Sequence, residues 1–385
     1  MMDGTLAIPD GDGPFPAVVL VHGSGPSDRD QTITLSNVGV IPVYYPQLIG
    51  QTIRNFKDIS DHLSANGIIV LRYDKRSFSH PSSLDPVFVS TNDFIFDIEN
   101  ALNWLANRPE VDTDCIILAG HSQGGALMTA LQNGKENIAG LISLAGAVTP
   151  ADSLIVEQIR QQFIVLANST FCANLVGDAS HEIFESVRNE TADPNVALEI
   201  NVPFCNFTFN YGFPTFWKDW IDLGENIFEN YEALDLPNLI IQGEEDFNVP
   251  PANALRFEQR LNPQKTQVHI LENINHFLTP QDSPNVAPEI LNIMVDWIKN
   301  VKGVSSTSNS QSNDFKIFQN GNQIVIEHST LFDQIQITDL SGRLLLKSKI
   351  SSAINHKFTY SSKSKFAVIS LFKNGKLIAS KKHVF

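Results

Sequence analysis

Cys115-Ile116-Ile117-Leu118-Ala119-Gly120-His121-Ser122-Gln123-Gly124-Gly125-Ala126-Leu127-Met128 decides the fold of this chain. The run from Cys115 to Ala119 is apolar without alternation, as in a strand covered on both faces. Glycines on either side of Ser122 let the backbone turn sharply, and the residues from Gly124 onward predict a helix. Strand, tight turn and helix around Gly-x-Ser-x-Gly lift the serine hydroxyl above the end of a sheet. The helix start aims its amides and positive dipole end at developing negative charge, and the amide of Gln123 is the expected first donor to an oxyanion. A glycine-rich packing turn is the alternative reading of the same five residues.

Outward from this turn, short apolar runs alternate with amphipathic stretches, the pattern of a parallel sheet covered by helices. Strands are predicted at Pro16–Val21, Gly67–Tyr73, Cys115–Gly120 and Ile138–Leu144, with helices at Asn55–Asn66 and Asn92–Asn107. From about residue 149 to 236 the alternation stops, predicting an inserted, mainly helical cap. Its second half crowds Phe204, Phe207, Phe209, Tyr211, Phe213, Phe216, Trp217 and Trp220. These residues suit either an apolar wall over a pocket or the cap's own core. Alternation resumes with a strand at Asn238–Gln242, a helix at Ala252–Leu261, a strand at Thr266–Leu271 and a closing helix at Pro288–Lys299.

A serine hydroxyl becomes a nucleophile only when a base takes its proton, so a histidine must follow it in the chain. His276 lies in Asn273-Ile274-Asn275-His276-Phe277, between the last predicted strand and the closing helix. Sites on such sheets assemble in loops at the carboxyl ends of strands. His269 falls inside a strand, and His328, His356 and His383 fall in a terminal module. The carboxylate must come between serine and histidine, and Asp246 in Gly243-Glu244-Glu245-Asp246-Phe247 meets that order, with Glu244 and Glu245 as alternatives. A second oxyanion donor is expected from the turn Val21-His22-Gly23-Ser24-Gly25-Pro26, through the amide of Ser24.

Of the 385 residues, 42% are hydrophobic and 18% charged, which fits a folded protein with a large core. A formal net charge of −15 disfavours binding to nucleic acid or to an anionic membrane surface as the main activity. No apolar run is long enough for a membrane span, and Met1 to Pro9 lacks the charged and apolar regions of a secretory leader. Cys115, Cys172 and Cys205 include no Cys-x-x-Cys pair, so no structural metal is implied, and hydrolysis through a serine is expected to need no metal or organic cofactor. Cys115 reads as a buried strand residue; Cys172 and Cys205 can form a disulfide if the protein is exported.

Residues 303–314 have the Ser, Thr, Asn and Gln content of a flexible linker, which divides a catalytic domain at 1–302 from a module at 315–385. The module carries eleven Lys or Arg against three Asp or Glu. Alternating runs at Gln323–Glu327, Gln334–Thr338 and Ala367–Phe372, with turns at Ser341-Gly342 and Asn374-Gly375, predict a small all-β unit.

With these residues in view, His22 to Asp30 and Gly67 to Arg76, together with the turns at Ser122, Asp246 and His276, resemble bacterial α/β-hydrolase carboxylesterases related to dienelactone hydrolases and acyl-CoA thioesterases. The resemblance spans roughly residues 5 to 300. It implies an α/β-hydrolase fold, a triad of Ser122, Asp246 and His276, oxyanion donors at Ser24 and Gln123, and a small-molecule ester as substrate. It also implies that Arg72, Asp74 and Arg76 brace loops rather than act on substrate. Gln31–Arg54 is longer than the family pattern and lies beside the oxyanion turn. The terminal module, through Ile335 to Arg343 and Asn374 to Phe385, resembles the sorting domains of the type IX secretion system in Bacteroidetes. That resemblance implies export to the cell surface or medium and contact with the secretion machinery. A carbohydrate-binding or adhesive module is the alternative. A thioesterase, a peptidase of the prolyl oligopeptidase kind and a catalytically inactive binding protein are the rival functions.

Overall fold

From Pro16 to Val21 every side chain is buried, and consecutive residues go to opposite sides of one sheet. Ala17, Val19 and Val21 join one apolar core and Val18 and Leu20 the other, because side chains alternate along a strand and both faces are covered. Cys115 is buried in the second of these cores.

The structure is a computed structural model that describes residues 3–36, 41–309, 316–320, 323–338, 344–359, 366–373 and 376–384. It divides into two units, Met1–Val301 and Lys302–Phe385. In the first unit the strands are β1 (Gly4–Ala7), β2 (Phe15–Val21), β3 (Thr32–Thr34), β4 (Thr52–Arg54), β5 (Ile69–Tyr73), β6 (Val111–His121), β7 (Ile138–Leu144), β8 (Leu198–Val202), β9 (Phe207–Gly212), β10 (Asn238–Gly243) and β11 (Thr266–Leu271). Seven of them form the central sheet in the order β1-β5-β2-β6-β7-β10-β11. All neighbours pair in parallel except β1, which runs antiparallel to β5. The helices Thr91–Ala106 and Ala252–Arg260 bury Ile98, Leu102 and Phe257 in one core; Asn55–Ala65 and the closing helix bury Phe56, Ile59, Ile290 and Met294 in the other. This is the α/β-hydrolase architecture.

The cap lies between β7 and β10. It holds helices Ala151–Ala167, Thr170–Arg188, Pro214–Glu225 and Ile227–Leu234, and also the antiparallel hairpin β8–β9. Val176, Phe184, Ile200, Tyr211, Trp220 and Ile221 form a separate core there, against which Phe207, Phe216 and Trp217 pack. Most of the cap's aromatic residues therefore stabilise the cap itself, while Phe204 is 80% exposed. Cys172 and Cys205 are joined in a disulfide that ties the second cap helix to the segment before β9.

Two helix lengths differ from expectation. The helix after Ser122 is a single turn, Gly124–Leu127. Thr129 Oγ1 donates back to Ala126 O, and the carboxylate of Glu99 takes the amides of Gln132 and Asn133, so the chain turns away. The closing helix runs from Pro288 to Asn309, past Lys299 and into the segment read as a linker. No proline interrupts that stretch, and a helix already packed along its first turns extends at little cost. Residues 310–314 of the expected linker lie outside the described residues.

The second unit contains β12 (Lys316–Asn320), β13 (Gln323–Thr338), β14 (Leu344–Thr359), β15 (Phe366–Lys373) and β16 (Lys376–Val384). They form one antiparallel sheet, with β14 and β15 both pairing with β13. Ile335 lies opposite Leu371 and Ile337 opposite Ile369, and all four are buried. The expected turns at Ser341-Gly342 and Asn374-Gly375 lie outside the described residues.

Candidate active site

Ser122 directly follows β6 with φ at +54°, in the left-handed region that a side chain enters only where the surrounding structure imposes it. Two contacts impose it. A Cβ on Gly120 would lie 2.3 Å from Gly124 O, and one on Gly124 would lie 2.4 Å from Val21 O. Only glycine permits the chain to fold back that closely. The Ser122 amide donates to Leu144 O on β7, and Ser122 O accepts from the Gly125 amide, so both sides of the turn are anchored.

Asp246 and His276 are brought together by the loops after β10 and β11. His276 Nδ1 donates to Asp246 Oδ2 at 2.8 Å, which leaves Nε2 as the ring nitrogen able to take a proton. The same carboxylate oxygen accepts from Gln242 Nε2 at 2.8 Å; Oδ1 accepts from the amides of Asn248 and Val249 at 2.9 and 2.8 Å. Four donors thus hold a carboxylate that is only 3% exposed. Glu244 and Glu245, the alternative acids, are exposed on the loop surface. His276 is buried too, and its loop is held by Asn275, whose side chain accepts from the Phe277 amide and donates to Thr279 Oγ1.

Serine and histidine are connected through His121, the residue just before the nucleophile candidate. Its Nε2 donates to His276 O at 2.8 Å, and Nδ1 accepts from Gln31 Nε2 at 2.8 Å. Burial, followed by the charge of nearby His276, lowers the pKa of His121 to about 3, so the ring is neutral near pH 7. Nothing in the sequence marked His121 beyond its place as a variable position of the pentapeptide. Gln31, Gln242 and Asn275 were missed for the same reason: their role is visible only in their partners.

The Gln31–Arg54 insertion contributes the hairpin β3–β4 and a small core of Leu35, Tyr45, Leu48, Ile53 and Phe277. Tyr44 stacks on Phe247 at 4.2 Å between ring centres, and Tyr45 meets Phe277 at 5.5 Å. Phe247 follows Asp246 and Phe277 follows His276, so the insertion clamps both loops. Asn55 Nδ2 adds a hydrogen bond to Phe277 O at 2.8 Å.

On the other side of Ser122, a Cβ on Gly23 would lie 3.1 Å from Ser122 Cβ, which sets the His22–Ser24 turn against the serine. Gln123 is buried and Ser24 exposed. His22 Nε2 donates to Tyr73 O, and burial lowers its pKa to about 4. Arg72 pairs with Asp30, Asp74 with Arg29 at 2.7 Å, and Arg76 with Asp97. These three residues brace the loop that carries Arg29 and Asp30 and the helix Thr91–Ala106. Among the described residues no group of three or more His, Cys, Asp or Glu is arranged to hold a metal ion, and no helix is long and apolar enough to cross a membrane.

A mostly parallel sheet with a strained serine turn after its central strand and an Asp–His pair at the same edge defines an α/β-hydrolase. The chain belongs to the hydrolase family described as serine aminopeptidase, S33, which it matches over residues 49–282, well over half of its length. It is 27% identical over 294 residues to the esterase EstD of Thermotoga maritima, covering 75% of this chain and 61% of that protein. The chain therefore spans less than two thirds of that relative. Among solved structures it is similar to a monoglyceride lipase from Saccharomyces cerevisiae, at 13% identity and a TM-score of 0.49 over 77% of this chain and 91% of that one. It is also similar to a monoacylglycerol lipase from Paleococcus ferrophilus, at 15% identity and a TM-score of 0.46 over 78% and 99%.

Proposed function

We propose that this chain is a serine carboxylic ester hydrolase that acts through an acyl-enzyme on small acyl or aryl esters. The buried hydrogen bond from His276 to Asp246 carries the reading, because it orients an imidazole toward proton transfer and stabilises the imidazolium that results. Ser122 Oγ attacks the ester carbonyl as its proton passes to His276 Nε2. The amides of Ser24 and Gln123 receive the oxyanion. Collapse of the tetrahedral intermediate expels the alcohol, which takes the proton from His276. Water, deprotonated by His276, then attacks the acyl-serine and releases the acid.

The small size expected of the acyl or aryl group draws on a cavity of about 190 Å³ beside the Asp246 loop, where Tyr44, Leu154, Phe247 and Pro250 share the lining with polar residues such as Glu157 and Gln158. Similarity to an esterase supports ester over amide substrates. The family's peptidase description supports a second reading, hydrolysis of peptidyl amides by the same residues. A panel of nitrophenyl esters of increasing chain length and of aminoacyl nitroanilides separates the two. Ser122→Ala is expected to lower hydrolysis about 10⁶-fold and to abolish labelling by a fluorophosphonate. Unchanged activity in Ser122→Ala would remove the mechanism.

We further propose that the terminal unit is an export address of the type IX kind and that the enzyme acts at the cell surface or in the medium. The Cys172–Cys205 disulfide supports an exported protein. Expression with and without residues 315–385 in a type IX-competent host tests this: retention of the full chain inside the cell counts against it.

A further inference from the structure

Lys75 stands out among the buried groups that the reaction above does not use. It follows β5 by two residues, is 4% exposed, and its ammonium lies 4.5 Å from the centre of the Phe94 ring. Taking a lysine out of water is costly, and burial lowers its pKa to about 7. Its hydrogen bonds go to two places. Nζ donates to Gly23 O at 2.6 Å and reaches Gln123 Oε1 at 3.5 Å.

Both contacts bear on the expected oxyanion donors. The Gly23 carbonyl and the Ser24 N–H belong to one trans peptide, in which C=O and N–H point in opposite directions. A cation on the carbonyl therefore fixes where the amide points. It also draws electron density from the peptide, which makes the N–H a stronger donor. Gly23 itself lies against Ser122. The second contact holds the side chain of Gln123, whose amide is the other donor.

We propose that Lys75 is a positioning residue of the oxyanion site: it grips the Gly23–Ser24 peptide by its carbonyl and the Gln123 side chain by its amide oxygen, so that both backbone amides meet the charge that forms on the substrate. The proposal rests on the serine-hydrolase reading. The titratable groups around Lys75 are otherwise engaged. His22, Tyr73 and Asp97 line the same small void; His22 donates to Tyr73 O, Asp97 is paired with Arg76, and the adjacent Asp74 is paired with Arg29.

The test measures Lys75→Met and Lys75→Arg beside wild type and Ser122→Ala, with ester kinetics, thermal unfolding and affinity for a boronic acid that forms a tetrahedral adduct. Lys75→Met is expected to lose about 10- to 100-fold in kcat, somewhat less than removal of one oxyanion donor, with KM within about twofold. Boronate affinity should fall in parallel. Lys75→Arg keeps a cation at every pH used, so it should recover part of kcat and lack the alkaline decline expected of wild type as Lys75 deprotonates. A folded Lys75→Met with wild-type kcat and boronate affinity overturns the proposal. If Lys75→Met does not fold, a Lys75→Arg profile of kcat against pH that superimposes on wild type overturns it. Activity that survives Ser122→Ala removes the underlying mechanism and the proposal with it, whereas an inactive Ser122→Ala beside an unaffected Lys75→Met removes the role of Lys75 alone.

Discussion

The serine turn and the histidine loop sit at the same edge of one sheet, yet they are held in different ways. Ser122 takes its conformation largely from its own turn, where Gly120 folds back against Gly124, with the neighbouring strands closing in through Val21 O and Leu144 O. His276 takes its position from far away. Asp246 is thirty residues earlier, His121 is 155 residues earlier and Asn55 is 222 residues before Phe277. A locally determined turn tolerates almost no substitution within itself, while a loop held by remote contacts can be loosened by changes that never touch it.

The largest effect should come from separating orientation from packing in the second region. Asp246→Asn keeps the size of the side chain but not its charge or its acceptor pair, and kcat is expected to fall about 10⁴-fold with the fold intact by circular dichroism. A loss below tenfold would mean that Asp246 does not orient the histidine. In the first region, Gly124→Ala puts a methyl group 2.4 Å from Val21 O and should cost about 3 kcal/mol or more in denaturant unfolding. Wild-type stability in that variant would deny that the serine turn is packed tightly against the end of β2. Remote control is tested by Tyr45→Ala, which empties the small core around Phe277 and should cost about 3 kcal/mol while lowering kcat more than it raises KM. An unchanged kcat would show that the insertion does not clamp the histidine loop.

The smallest effect concerns pH. His22 and His121 are buried with folded-state pKa values lowered to about 4 and about 3, against 6.5 when unfolded. Each therefore adds stability that is complete above pH 6.5. That stability is lost as pH falls toward 4 and then 3, because only the unfolded chain takes up the protons. Between pH 6 and 5 the two together should cost about 2 kcal/mol. A thermal midpoint that stays flat from pH 7 to 5 would contradict their burial as neutral rings.

Much of this was legible in the linear chain. Unbroken apolar runs such as Ala17–Val21 and Cys115–Ala119 announced strands covered on both faces, and Gly-x-Ser-x-Gly at the end of one of them located the serine. Chain order then drew attention to Asp246 and His276. The cap was legible as an interruption, but its hairpin was not, because β8 and β9 stabilise each other only when paired. The aromatic cluster was ambiguous for a related reason: composition cannot distinguish a pocket wall from a core, and Tyr211 and Trp220 turned inward.

By itself the sequence determined which segments form the sheet, where the backbone must turn around Ser122, and that a carboxylate and a histidine follow in the required order. These are short-range properties, set by side-chain alternation and by steric limits within a few residues. It took the folded chain to bring Asp246 rather than its neighbours to His276, to tie the serine strand to the histidine loop through His121 and Gln31, and to set Lys75 on the Gly23 carbonyl. Each of those contacts joins residues 30 to 155 positions apart, and burial in a shared core is what brings them within hydrogen-bonding distance.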